Sequence, residues 1–120
     1  MHEMKKILIV PALLAAAWSA PLVASAADLA NGRALVEKYN CASCHGKDYN
    51  SPIDPGYPKL AGQHADYLKH ALTAYRRGDT AMNGRNNAIM SAQAKPLTDR
   101  DINDIAAYLH SLPGSLVLRK

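Results

Sequence analysis

Residues 40–46 read Asn40-Cys41-Ala42-Ser43-Cys44-His45-Gly46. Two thiols separated by two residues and followed at once by an imidazole form Cys-x-x-Cys-His, the pattern through which haem is attached covalently. Each residue in it has a task. The thiols lie one turn apart and can reach two vinyl groups on adjacent edges of a porphyrin, giving thioether bonds. His45 then falls beneath the ring, where its imidazole can bind iron. Covalent attachment also keeps the group from escaping a small, open domain.

Other chemistries that use two cysteines fit less well. A thioredoxin-like redox pair needs a strand before the motif and a helix starting at it, whereas the residues before Cys41 have helical periodicity. A structural zinc site calls for four Cys or His ligands, and the chain has two cysteines in all. A disulfide is chemically open to an exported protein, but a bridge over two intervening residues would staple almost nothing.

Outward from the motif, apolar spacing predicts three main helices and no strand. The first covers residues 28–39, with Asp28 as N-cap and Leu29, Gly32, Leu35, Val36 and Tyr39 on one face. Gly32 inside it costs about 1 kcal/mol relative to Ala, which suggests close approach of another helix. The second covers residues 64–77, with Tyr67, Leu68, Ala71, Leu72 and Tyr75 as its stripe and Gly78 as its stop. The third follows Thr98, with Asp99 and Asp101 in its first turn, Leu97 and Ile102 as a hydrophobic staple, and Pro113-Gly114 beyond its end. Its small face at Ala106 is expected to cross Gly32. Two long polar connections remain, residues 46–62 and 79–95, the second with a short helix around 88–94. Loops of that length in a small domain are usually functional, and these are expected to wrap the cofactor.

The N-terminus has the layout of an export signal. Lys5 and Lys6 precede an apolar run, residues 7–18, and the small residues Ala24-Ser25-Ala26 supply a cleavage site. The run is too short to cross a hydrocarbon core about 30 Å thick. Residues 1–26 are therefore expected to be a cleaved signal peptide, and residues 27–120 a single periplasmic domain with no stable membrane span. Loss of Lys5, Lys6 and Glu3 takes the formal charge from +4 to +3. The only Trp, Trp18, leaves with the signal, and with no Phe in the chain six tyrosines supply all the aromatic surface. No basic run is interleaved with aromatics, so nucleic-acid binding has no support. A domain this small often needs a staple or a cofactor to be stable.

An electron-carrying haem needs a second axial ligand. The mature chain has Met82 and Met90, both in the second long loop. Met90, in the less polar stretch just before the third helix, is favoured over Met82. His64, His70 and His110 offer a bis-histidine alternative, but each reads as a surface residue.

Taken together, these residues resemble the class I c-type cytochromes, most closely the short bacterial periplasmic monohaem forms, and also one half of the two-haem periplasmic cytochromes. The resemblance runs through the first helix with Gly32, the segment 41–46, Tyr57-Pro58-Lys59-Leu60-Ala61-Gly62-Gln63, Tyr67-Leu68, the segment 90–98 and the last helix. It implies an all-α class I cytochrome c fold, with long loops wrapped around one haem c bound by Cys41 and Cys44. It further implies axial ligation by His45 and Met90, with the Pro58 carbonyl receiving the Nδ1 hydrogen of His45, and a crossing of the terminal helices between Gly32 and the Tyr108/Leu109 region. The expected activity is electron transfer between redox proteins rather than catalysis. The carrier would diffuse between a quinol-oxidising complex and a terminal oxidase or reductase, or alternatively serve as a haem subunit of a dehydrogenase complex. A five-coordinate haem enzyme or gas sensor is the most distant alternative. Arg85, Asn86 and Asn87 are loop candidates for holding the haem propionates.

Overall fold

The computed structural model describes residues 11–12, 14–21 and 26–116. Lys5, Lys6, residues 7–10 and the Ala24-Ser25 part of the expected cleavage site lie outside them. Five helices and no strands occur among the described residues: α1 (Leu29–Lys38), α2 (Ala42–His45), α3 (Ala65–Arg77), α4 (Ala88–Ala94) and α5 (Asp99–Ser111). None of these helices is long and apolar enough to cross a membrane.

Helix boundaries follow the capping chemistry. Asp28 accepts a hydrogen bond from the Asn31 N–H at 3.0 Å and starts α1. At α5, Thr98 Oγ1 accepts from the Asp101 N–H at 3.1 Å, and Asp101 Oδ2 accepts from the Thr98 N–H at 3.0 Å. This reciprocal box satisfies two donors that the first turn leaves free. Arg76, at the end of α3, donates to the Leu97 carbonyl at 2.9 Å and pairs with Asp99, joining α3 to the start of α5.

α5 packs against both α1 and α3, and α3 packs against α4. Val36, Leu68, Leu97, Ile102, Ile105 and Leu109 form the buried core between them. The crossing of α1 and α5 is at Gly32, and its partner surface includes Tyr108, as the resemblance implies, rather than Ala106, which periodicity suggested. A Cβ on Gly32 would overlap the Asp104 carbonyl and stand 2.8 Å from the Tyr108 Cβ. Asp104 and Tyr108 are four residues apart and share a helix face, whereas Ala106 is turned into the core and fully buried. Leu29, also expected to be inward, is about half exposed.

The crossing is fastened by a buried carboxylate. Asp104 is 1% exposed and accepts from the Asp28 backbone N–H at 2.9 Å and from Asn31 Nδ2 at 2.8 Å. Arg100 stands 3.8 Å away. Burying a carboxylate is tolerable only with such donors, and both are supplied by the first turn of α1.

Candidate functional site

The Cys-x-x-Cys-His segment leaves α1 through Asn40, which has φ 54°, and turns directly into α2. The Cys41 N–H still donates to the Val36 carbonyl at 3.0 Å, and the His45 N–H donates to the Cys41 carbonyl at 3.1 Å. One turn thus carries both thiols and the imidazole. Cys41 and Cys44 are half-buried, free thiols, and burial pushes the Cys41 thiol up.

His45 is buried, and its Nδ1 lies 2.8 Å from the Pro58 carbonyl. A carbonyl only accepts, so Nδ1 carries the hydrogen and the Nε2 lone pair is left for a ligand. The loop between residues 46 and 62 is shaped to deliver that carbonyl. Asp48 accepts from the Asn50 and Ser51 N–H groups, both at 2.9 Å, which holds its carboxyl below the usual range. The Tyr49 carbonyl receives the N–H groups of Leu60 (2.8 Å) and Ala61 (2.9 Å). The Tyr49 ring is buried edge-on against Tyr108, with centroids 6.5 Å apart, and its hydroxyl is pushed up to about 12, chiefly by burial.

A cavity of about 320 Å³ opens above His45. Cys41, Cys44, His45 and Pro58 line it on the motif side, and Met90 from α4 lines it as well. Leu68, Leu72, Leu97, Ile105 and Leu109 supply much of its apolar wall, and among the described residues no Asp or Glu contributes to it. Met82 does not reach it and is fully exposed. His64, His70 and His110 are exposed and absent from the wall; His110 instead faces the Gln63 carbonyl at 2.7 Å. Of the three propionate candidates, Arg85 and Asn87 line the cavity and Asn86 does not. A larger surface pocket of about 550 Å³ lies between the end of α3 and α4, and no cysteine, histidine or methionine among the described residues lines it.

The donor set suits a flat, largely apolar cofactor with a metal at its centre. Two thiols can anchor it, an oriented imidazole and a thioether can bind its metal, and the apolar wall can cover its faces. Haem meets each requirement.

Two sets of contacts at or near this site are not visible in the sequence. Asp104 sits beside the apolar stripe of α5, and nothing within its own helix signals two donors on α1. Tyr67, Tyr75 and Arg85 form a second group. The eight-residue spacing of the two tyrosines on one helical face was visible, but not the guanidinium that joins them.

The family model described as Cytochrome c matches residues 29–113. Cytochrome c-554(548) of Halomonas halodenitrificans is 46% identical over 71 residues, covering 59% of this chain and 82% of that protein. The thiosulfate dehydrogenase electron acceptor of Thiomonas intermedia is 35% identical over 112 residues, covering 93% of this chain and 46% of that protein. The crystal structure of reduced recombinant cytochrome c4 from Pseudomonas stutzeri superposes with a TM-score of 0.65 at 38% identity, covering 76% of this chain and 48% of that chain. The chain thus spans about half the length of the last two. The all-helical fold, the cavity above the Cys-x-x-Cys-His turn and these matches agree, and the chain belongs to the cytochrome c family, as a class I c-type cytochrome that transfers electrons by means of haem c.

Proposed function

We propose that this chain is an exported single-haem carrier in which Cys41 and Cys44 hold the haem and His45 and Met90 are its two axial ligands. The observation that carries this reading is the pairing of an imidazole oriented by the Pro58 carbonyl at 2.8 Å with Met90, the only methionine on the cavity wall among the described residues.

Haem held by Cys41, Cys44, His45 and Met90 would supply one-electron chemistry between ferrous and ferric iron. The protein's residues set the conditions for that exchange. The Pro58 carbonyl holds the His45 ring in one tautomer and orientation. The Met90 thioether favours the ferrous state, and a His/Met pair raises the potential relative to two histidines. The apolar wall of leucines and Ile105 disfavours the additional ferric charge in the same direction. Were His45 and Met90 both to bind the metal, no position would be left for a substrate, which fits electron exchange rather than catalysis. Cys41 and Cys44 are only partly buried, so a cofactor edge anchored by them would lie close to the surface that a partner meets.

The thiosulfate dehydrogenase electron acceptor among the relatives supports a carrier that takes electrons from a dehydrogenase and passes them to a second redox protein. The periplasm is the compartment that the N-terminal layout favours.

The test is spectroscopic. The purified mature protein should contain one haem per chain, and its ferric form should show a sulfur-to-iron band toward the red end of the spectrum. Met90→Ala should abolish the band and Met82→Ala should leave it. Survival of the band in Met90→Ala would overturn the ligand assignment. Sedimentation then separates a free carrier from a subunit held in a larger complex.

A further inference from the structure

Arg85 occupies an unusual position. Its guanidinium carbon lies 5.6 Å from the centroid of Tyr67 and 5.4 Å from that of Tyr75. Both distances are within the range over which a cation is attracted to an aromatic face. The tyrosines are eight residues apart on α3, a little over two turns, and both belong to the cavity wall. Arg85 comes from a different part of the chain, the loop beyond the end of α3. No carboxylate pairs with it among the described residues. Its side-chain partners among the described residues are therefore the two tyrosines, whose side chains also hold its pKa up, Tyr67 foremost.

The backbone around Arg85 is fastened to the same helix. The Arg85 N–H donates to the Ala74 carbonyl at 3.0 Å. Gly84 packs so closely on the Gly78 carbonyl that a Cβ there would overlap it. Two residues beyond Arg85, Asn87 caps α4 and accepts a hydrogen bond from the N–H of Met90 itself at 2.9 Å. The chain is thus pinned to α3 at Arg85 and pinned again between Asn87 and Met90. Only Asn86 lies between the two fastenings, so a displacement at Arg85 is handed almost directly to Met90.

We infer that Arg85, clamped between Tyr67 and Tyr75, is the positioning residue that holds the Met90 segment closed over the cavity. It acts through the two rings rather than on the metal. The inference rests on Met90 being an axial ligand, as proposed above. The clamp belongs to tertiary structure: α3 supplies the two faces, and the loop supplies the cation. Release of the guanidinium frees the loop from α3 and raises the population in which Met90 has left the iron.

That population can be read with imidazole as a competing ligand of the ferric protein, because imidazole binds only where Met90 has left. Its apparent affinity scales with the open fraction. Two cation–π contacts at a partly exposed site correspond to about a five- to thirtyfold change in that fraction. Arg85→Gln should tighten imidazole binding by that factor, and Arg85→Lys, which keeps a cation, by less. In a Tyr67→Leu/Tyr75→Leu background the same Arg85→Gln change should alter binding by less than about twofold. Unchanged imidazole affinity in Arg85→Gln would overturn the inference. So would an equal gain in the leucine background, since Arg85 would then be acting elsewhere. If Arg85→Gln fails to take up haem, Tyr75→Leu in the otherwise native chain provides the same readout, and unchanged imidazole affinity there overturns the clamp. Absence of the sulfur-to-iron band in the unaltered protein is a different result, because it removes the Met90 assignment itself.

Discussion

Gly32→Ala tests how the two terminal helices are joined. In most helix interiors this change is stabilising by about 1 kcal/mol, because Ala is the better helix former. At Gly32 the new Cβ would stand 2.7 Å from the Asp104 carbonyl carbon and 2.8 Å from the Tyr108 Cβ. Comfortable carbon–carbon contacts lie at about 3.5–4.0 Å, so α1 and α5 must part by roughly 1 Å. The obstacle is backbone and a Cβ, neither of which can rotate aside. Overpacking of this kind costs about 1–3 kcal/mol. The separation also stretches the two hydrogen bonds from Asp28 and Asn31 to Asp104, each worth about 1.5–3 kcal/mol when the acceptor is charged. Partial loss of these, less the gain in propensity, leaves a net destabilisation of about 2–3 kcal/mol. For a domain of this size that is a fall in Tm of roughly 10–20 °C, read by far-UV circular dichroism on the haem-loaded protein. Arg33→Ala is the control, since Arg33 and Glu37 form an exposed pair one residue away and its loss should leave the melting temperature nearly unchanged. A Gly32→Ala protein melting within two or three degrees of the native one, or above it, would refute the account of the crossing.

Two further outcomes follow from the loops and the cavity. The Tyr49 hydroxyl is held near 12 in the folded protein, against about 10 in an unfolded chain. Between those values the folded state keeps a proton that the unfolded state has lost, so stability to urea should fall as pH rises from about 10 to 12. Tyr49→Phe should remove part of that slope, and an identical alkaline profile in the variant would contradict the burial of the hydroxyl. Cys41→Ala/Cys44→Ala, purified free of haem, should lose cooperative melting and near-UV dichroism while retaining some helix. At about 24 cal/mol per Å³, an unfilled cavity of about 320 Å³ costs on the order of 8 kcal/mol, comparable with the entire 5–15 kcal/mol of a typical domain. A sharp two-state transition in that haem-free chain would show that the polypeptide core suffices alone.

The parts of the fold that were legible in the sequence are those whose partners lie within a few residues. Asp28 and Thr98 cap their helices by reaching three residues ahead, so composition and spacing specify them directly. Met90 differs from Met82 in a local way too: the Asn87 cap begins a helix that turns Met90 toward the cavity, while Met82 stays in a polar turn. The mistaken expectation at Ala106 has a physical cause. Periodicity identifies which side of α5 is apolar, but Ala106 belongs to the core side, and the helix crossing uses the adjacent face of Asp104 and Tyr108. A small residue marks space without saying which neighbour fills it. Periodicity rightly places Tyr67 on the inward stripe, but its degree of burial is not legible in the sequence. Its ring is about half exposed yet lines the cavity, a position that a simple inside-or-outside pattern does not express.

By itself, the sequence determined the chemistry: Cys41, Cys44 and His45 lie on one turn because their spacing matches one turn, and that spacing does not depend on the rest of the chain. The tertiary structure decided how this chemistry is held. The Pro58 carbonyl meets His45 because the intervening loop folds back on Tyr49, Asp104 meets α1 across 76 residues of chain, and Arg85 finds two rings on a helix that has already ended. Each of these contacts depends on the path by which the chain returns, and that path is set by burial of the common core rather than by any local pattern.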